Sequence, residues 1–262
     1  MTAVPVRTER GLGNLARQGM LLAGRNIRLT SVSDTISTMI VFPVIFVFGF
    51  LALFGNLVQV KGIEYAQFLP PALVVQWMFS VAISTAFFFA SDRRSGILAR
   101  YRALAINRGA VVVGRMAADV LRALLAIAVI VTAGYVAGFR FEAGPLAALG
   151  FVALAVGFAL TLSAGTSALG LASKEPETVS STLHLIYMPL LMISSAFVPA
   201  DAFPAWLEPV VSLQPVTAVI DALRALAEGG PTAGPVTRAL LWMAGLLVLF
   251  SLAAVRAFRR AT

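Results

Sequence analysis

The stretch YAQFLPPALVVQWMFSVAISTAFFFAS, residues 65–91, decides the fold because it contains no Asp, Glu, Lys or Arg. A hydrocarbon core of about 30 Å needs roughly 17–25 apolar residues in helical form, since unpaired backbone groups are too costly in lipid. Five further stretches also lack charged residues: 35–60, 123–139, 143–173, 178–200 and 239–255. The sequence therefore predicts an all-α integral membrane protein with six transmembrane helices.

The stretches 123–139 and 239–255 are the shortest of the six, at the lower limit for crossing a bilayer. We therefore expect the third helix to begin near Val111. Three charged residues would then lie in its headgroup turns and snorkel toward water: Arg115, Asp119 and Arg122. Because these residues share one helical face, Asp119 is expected to compensate the charge of both arginines.

Basic residues orient the helices, because short loops rich in Lys and Arg stay in the cytoplasm. If both termini are cytoplasmic, the outer segments hold only four of the 20 basic residues: Lys61, Arg140, Arg224 and Arg238. The opposite orientation would place most of the positive charge outside. The net charge of +8 therefore indicates orientation in the plasma membrane rather than nucleic-acid binding.

Residues 1–34 are expected to form a cytoplasmic leader before a transmembrane domain at 35–262. One sector of a helical wheel holds the polar residues Arg10, Asn14, Arg17, Arg25 and Arg28. Small and apolar residues occupy the opposite sector, with Leu21 as the one exception: Leu12, Leu15, Gly19, Leu22, Ala23 and Ile27. This pattern predicts an amphipathic interfacial helix that lies along the inner headgroup layer. The helix would serve either as a topology anchor or as a mechanical element.

The first cytoplasmic loop, residues 91–110, reads SDRRSGILARYRALAINRGA. Gly96 separates a basic cluster from a short predicted helix. In that helix one contact edge is formed by Ile97, Leu98 and Tyr101. The side chains of Arg100 and Arg102 stay in water. The alternative is a basic loop that only sets the membrane topology.

The connection between the fifth and sixth spans is predicted to form an outer hairpin at 200–235. Pro204, Pro209 and Pro215 interrupt any long helix there, so two short helices are expected, the second at about 216–228. These helices would be re-entrant or lie on the surface. They would either cap the outer end of a pathway or form a structured loop without a gating role.

Both segments resemble the ABC type-2 permeases, and the hairpin resembles the daunorubicin-resistance branch of that family. The matching loop residues are Asp92, Arg93, Ser95, Gly96, Leu98, Leu104 and Arg108. The matching hairpin residues are Phe197, Pro199, Pro204, Trp206, Leu207, Gln214, Pro215, Thr217, Arg224, Gly229 and Gly230. Ala105 and Ile106 depart from the family pattern, which has Pro and an aliphatic residue there.

The resemblance implies that the short loop helix is a coupling helix, which docks in a groove of a separate ATPase subunit. The implied ATPase-coupling residues are Arg93, Gly96, Ile97, Leu98, Arg100, Tyr101 and Arg102. The family resemblance also implies two copies of that ATPase subunit and a second permease subunit, identical or homologous.

The chain has no ATPase site of its own. A P-loop needs a Gly-Lys-Ser/Thr ending, but the only lysines are Lys61, which precedes Gly62, and Lys174, which precedes Glu175. With no Cys and a single His, the sequence also offers neither a metal site nor a catalytic cluster. We therefore expect a transporter subunit that is not an enzyme and has no cofactor, with ATP and Mg²⁺ bound by the partner ATPase.

Two polar stripes mark a candidate substrate path. Gln76, Ser80 and Ser84 recur every four residues in the second span. Polar groups in lipid seek a partner helix or water, so such stripes should face protein or a cavity. The fifth span carries the second stripe: Ser180, His184, Tyr187 and Ser194. Interhelical hydrogen bonding without substrate contact is the alternative, and it is favoured for His184.

The predicted function is that of a permease subunit in an ATP-driven exporter of amphipathic drugs or lipids, in contact with membrane lipids and a hydrophobic substrate. Polysaccharide export by the same architecture is an alternative. A secondary transporter or channel is another, although such proteins often have two related halves, and no similarity between the two halves is evident here. A membrane anchor for a partner enzyme would not need the polar stripes.

Overall fold

The computed structural model describes residues 37–59, 64–97 and 108–260, which form helices and connecting loops without a strand among them. The main helices are α1 (Phe42–Gln59), α2 (Tyr65–Arg94), α3 (Arg108–Ala137), α4 (Pro145–Ala172), α5 (Pro176–Met192), α6 (Glu208–Leu213), α7 (Pro215–Glu228) and α8 (Ala233–Arg260). A π-helical turn at Ser37–Val41 leads into α1, and a 3₁₀ turn at Ala200–Ala202 precedes α6. The prediction of an all-helical protein is confirmed for this part of the chain. The predicted leader helix lies outside the described residues.

Within the described ranges, four helices are long and apolar enough to cross a membrane: Tyr65–Arg94, Val113–Ala137, Pro145–Ala172 and Ala233–Leu252. The apolar part of α1 is shorter, Met39–Gly55. The fifth predicted stretch also forms a shorter helix, because α5 has 17 residues and ends at Met192. Beyond it the chain turns, and the Ser194 hydroxyl donates a hydrogen bond to the carbonyl of Leu191. Four of the six predicted spans are thus confirmed by length and composition.

Helix α2 forms the centre of the bundle. A helix that is hydrophobic on all sides is buried in its protein, and most residues of α2 are buried, with Leu69, Leu73 and Met78 fully so. It packs most extensively against α4 and also contacts α1, α3, α5 and α7. Phe79 of α2 meets the edge of the Phe158 ring of α4 at a centroid distance of 5.7 Å.

Small residues allow close contacts between α4 and its neighbours. A Cβ atom on Gly170 would overlap the carbonyl oxygen of Ala86 in α2, so the two backbones touch there. The sequence also has small residues at positions 157 and 165, where added Cβ atoms would meet Met243 and Phe250 of α8. Interfaces of this kind are typical of membrane helices that pack by close backbone approach.

The expectation that Arg115, Asp119 and Arg122 snorkel toward water is wrong. All three are buried in the bundle, with 4%, 0% and 6% of their surfaces exposed. The physical reason is that α2 supplies polar partners along the facing side of α3. Asp92 forms an ion pair with Arg115, and Asp119 therefore does not carry the compensation of both arginines alone.

The two ends of the bundle differ in charge. We call the end at which α2 and α4 terminate the basic end, because it carries Arg93, Arg94 and Lys174. The opposite end, which we call the hairpin end, carries residues 193–232 with α6 and α7. Helix α7 is buried along most of its length and packs on α2, α4 and α8. It ends at Glu228, and the following Gly229 has a φ of 82°, in the left-handed region that favours glycine.

Candidate functional site

The basic end holds the described part of the predicted coupling region. Helix α2 ends at Arg94, and Gly96 follows with a φ of 70°, which is a left-handed conformation suited to glycine. The Arg93 guanidinium donates a 2.6 Å hydrogen bond to the carbonyl of Leu171 at the end of α4. Ile97 is half-buried. The other predicted coupling residues lie outside the described residues: Leu98, Arg100, Tyr101 and Arg102.

A group of buried charged residues lies next to this region, and we call it the charge cluster: Asp92, Arg115, Asp119 and Arg122. Arg115 Nη2 lies 3.1 Å from Asp92 Oδ2, and Arg122 Nη1 lies 3.2 Å from Asp119 Oδ1. The Thr85 hydroxyl of α2 donates a 2.6 Å hydrogen bond to the second oxygen of Asp119. The sequence indicated the face of α3 that carries these charges, but not their partners on α2.

The residues of the polar stripe of α2 differ in how deeply they are buried. Gln76 is buried, whereas Ser80 and Ser84 are half-buried. The Ser84 hydroxyl donates a 2.8 Å hydrogen bond to the backbone carbonyl of Ser80. The Ser84 hydroxyl is therefore satisfied within its own helix.

The predicted stripe of α5 does not form a single face. Tyr187 is buried and stacks on Phe79 of α2 at a centroid distance of 5.2 Å, whereas His184 is exposed. The two α5 side chains are nevertheless neighbours, with ring centroids 5.5 Å apart, and His184 Nδ1 lies 2.8 Å from the carbonyl of Ser180. Ser194 is buried in the turn that follows α5, so its spacing from the other residues is not helical.

A cavity of about 690 Å³ opens at the hairpin end, between the start of α2, α6 and α7. Five carboxylates line it: Glu64, Asp201, Glu208, Asp221 and Glu228. The apolar part of its wall is formed by Phe68, Pro199 and Ala200. Partial desolvation in the cavity wall raises the pKa of Glu228, which favours its protonated form relative to a glutamate in water. Sequence reasoning did not find this cavity; its only signal was the excess of acidic over basic residues in the predicted outer segments.

Arg224 is the one basic residue among the described residues that line the cavity, and it connects the surrounding elements. Its guanidinium donates hydrogen bonds to the carbonyls of Phe68 and Ala196, at 3.1 and 3.2 Å, and lies 3.4 Å from the centroid of the Phe68 ring. Arg224 Nη1 also lies 3.8 Å from Asp221 Oδ1. Burial lowers the pKa of Arg224 to about 10, which still leaves it charged at neutral pH.

Comparison with known proteins adds to this geometry. A family model described as "ABC-2 family transporter protein" matches residues 59–256. The chain is 31% identical over 221 residues to the daunorubicin resistance ABC transporter permease protein DrrB1 of Streptomyces coeruleorubidus, which covers 84% of this chain and 78% of the relative. It is 28% identical over 232 residues to the probable doxorubicin resistance ABC transporter permease protein DrrC of Mycobacterium tuberculosis, with coverage of 87% and 83%. The doxorubicin resistance permease DrrB of M. tuberculosis is 26% identical over 250 residues, with coverage of 90% and 86%.

Proposed function

The chain belongs to the ABC-2 family of transporter proteins, and from this membership we propose that it is the permease subunit of an ATP-driven exporter of amphipathic drugs. The observation that carries the proposal is the extent of the match. Residues 59–256 contain all four of the long apolar helices in the described part of the chain, so the likeness covers the membrane-spanning body of the molecule. The relatives are named for resistance to daunorubicin and doxorubicin, which favours drugs over polysaccharides as the exported class.

In this proposal the permease has six spans in the plasma membrane, with α1 and α5 as two short ones. The basic end faces the cytoplasm and both termini lie on that side, as short basic loops favour. The hairpin end and its acidic cavity then face outward. A membrane segment of 17 residues is at the short end of what can span, and flanking residues or local thinning of the bilayer accommodate it.

The partners in this proposal are two copies of an ATPase subunit, which bind ATP and Mg²⁺, and a second permease subunit. The coupling helix after Gly96 docks on the ATPase. The exposed side of α5 supports the second permease, because it carries polar residues among large apolar ones: Thr178, Ser181, Thr182 and His184. Polar groups on a membrane helix are better satisfied against protein than against lipid.

The substrate path in this proposal runs beside α2 and α5, where the aromatic contact of Phe79 with Tyr187 joins the two helices. The path residues remain those named from the sequence: Gln76, Ser80, Ser84, His184, Tyr187 and Ser194. A wall of aromatic, aliphatic and hydroxyl groups suits an amphipathic molecule.

The test is ATP-dependent uptake of daunorubicin into everted membrane vesicles that contain this chain and its ATPase subunit. Everted vesicles accumulate an exported drug because their cytoplasmic face is outside. We expect uptake with ATP, and none with a catalytically inactive ATPase subunit or with this chain alone. Uptake by the chain without any ATPase would instead identify a secondary transporter.

A further inference from the structure

We call residues 95–107, between α2 and α3, the coupling loop; the two helices that bound it run side by side in opposite directions. Helix α2 ends at Arg94 and α3 begins at Arg108, so the loop between them starts and finishes at the basic end. Asp92 lies just before the loop and Arg115 lies in the second turn after it. Their ion pair therefore joins the two helices next to the points where the loop leaves and returns.

The contact between the helices continues inward along one face of each. On α2 the face comprises Thr85, Phe88, Phe89 and Asp92, and on α3 it comprises Arg115, Asp119 and Arg122. The Phe88 ring lies 5.0 Å from the Arg115 guanidinium carbon and 4.9 Å from that of Arg122, so it separates the two cations. Both guanidinium groups thus gain a carboxylate and an aromatic face in a region from which water is excluded.

The same half of α2 is also fixed to α4. The Thr166 hydroxyl of α4 donates a 2.7 Å hydrogen bond to the carbonyl of Ala82, and Gly170 packs directly on the backbone at Ala86. The Arg93 side chain binds the end of α4 through the carbonyl of Leu171. Contacts with α3 and α4 therefore leave the basic end of α2 little freedom to move alone.

We propose that Asp92 and Arg115 are positioning residues for the coupling loop, which hold its two ends at a fixed spacing so that a push on the loop moves α2, α3 and the adjoining part of α4 together. The proposal rests on the proposed function for the source of the push, which is the ATPase. A buried ion pair is seldom needed for stability alone, because a well-packed apolar pair is often as stable. An ion pair with fixed hydrogen-bond geometry instead specifies one relative position of two helices.

A distance measurement tests the fixed spacing without the ATPase. The natural chain has no cysteine, so spin labels can be attached to Arg94→Cys, at the exposed end of α2, and to Val113→Cys, at an exposed position in the second turn of α3. In lipid nanodiscs we expect a single narrow distance distribution, which broadens when Asp92→Asn is added. Equal widths with and without Asp92→Asn would overturn the proposal, whatever the protein exports.

Transport in the assembled complex tests the consequence for coupling. We expect Asp92→Arg and Arg115→Asp each to lower drug transport per ATP hydrolysed by about tenfold, and the exchanged pair D92R/R115D to restore most of it. The apolar pair D92L/R115M keeps the helices packed without a directed contact, so it should assemble and unfold like the natural chain yet transport poorly. Full transport by the apolar pair would show that the site contributes burial only.

Discussion

Arg224 illustrates how one buried charge can order several elements at once. It lies on α7, yet its hydrogen bonds reach Phe68 in α2 and Ala196 in the turn after α5. Its neighbour Asp221 also accepts hydrogen bonds from Ser195 and from Arg238 of α8. Removal of the guanidinium would take a charged donor from the carbonyl oxygens of Phe68 and Ala196, and hydrogen bonds to charged groups are among the stronger ones in proteins.

We predict that Arg224→Met lowers the free energy of unfolding by about 2–4 kcal/mol, because those carbonyls lose their charged donor. Thermal unfolding of the purified chain in detergent measures the change. Arg140→Gln is the matched control at the same end, since Arg140 is exposed and its side chain binds nearby carbonyls of its own segment. The control should stay within about 0.5 kcal/mol. Similar losses for both variants would contradict the structural role given to Arg224.

Ser84 tests the substrate path at the scale of one side chain. Its hydroxyl is satisfied by the carbonyl of Ser80, so a larger apolar residue deprives no other group of a partner. We predict that Ser84→Leu keeps the unfolding temperature but reduces ATP-dependent uptake of daunorubicin several-fold. Ser163→Leu is the control for overpacking, because Ser163 is buried, and it should cost about 1–3 kcal/mol in stability.

A chemical probe separates a narrowed path from an indirect effect. Ser84→Cys introduces a single thiol into a chain without cysteine. If the serine meets the path, a water-soluble thiol reagent should label it in at least one nucleotide state of the complex. Normal uptake by Ser84→Leu together with no labelling in any state would place the path elsewhere.

At the scale of helices, the effect of a glycine on packing depends on what lies opposite it. Gly170 of α4 faces the backbone of α2, whereas a Cβ atom added to Gly245 of α8 would meet no described atom within 4 Å. The same substitution should thus have opposite effects. We predict that Gly170→Ala destabilises the bundle by about 1–3 kcal/mol through steric overlap, and that Gly245→Ala stabilises it by up to about 1 kcal/mol through helix propensity.

Chemical unfolding of the two alanine variants in the same detergent measures this difference. Both changes add one methyl group to a helical glycine, so they differ only in what the methyl group meets. A stable Gly170→Ala variant would mean that α2 and α4 can separate at no cost, which would also weaken the view that α4 moves with the coupling loop.

The element boundaries show what sequence periodicity can predict and where it fails. Two of the four long spans, in α2 and α4, follow from long charge-free stretches, which depend on composition alone. The other two, in α3 and α8, begin before the short stretches 123–139 and 239–255 and include charged residues. The end of α5 does not follow from composition, because residues 193–196 are as apolar or small as the helix before them. They leave the helix because the Ser195 backbone amide binds Thr217 and its hydroxyl binds Asp221, both in α7. Such tertiary contacts are invisible in a single sequence.

The same reasoning applies to the candidate sites. Spacing predicts the face shared by Arg115, Asp119 and Arg122, but their burial depends on partners in another helix: Thr85, Phe88 and Asp92. Helical spacing places Ser194 on the stripe of α5, but the helix ends at Met192, before it reaches that residue. The acidic cavity is lined by three segments that are separate in the sequence. In the sequence its only sign is the excess of acidic over basic residues in the predicted outer segments.

At the scale of the whole molecule, the number of crossings fixes which side each loop faces. Between Ser95 and Gly230 the chain passes through α3, α4 and α5. If α5 crosses the membrane, these positions lie on opposite sides. If α5 lies along the surface, only two crossings separate them and they lie on the same side. The short length of α5 makes this the sharpest test of the six-span arrangement.

We predict that a membrane-impermeant maleimide labels Gly230→Cys in intact cells, but labels Ser95→Cys only after the cells are permeabilised. Both positions are exposed, and the absence of natural cysteines makes each label unambiguous.

A third variant, Thr8→Cys, tests α1 in the same way, because α1 and α2 together return the chain to the side of Ser95. It should behave like Ser95→Cys. Labelling of Gly230→Cys and Ser95→Cys from the same side would show that α5 does not cross, and labelling of Thr8→Cys from the side opposite Ser95→Cys would show the same for α1.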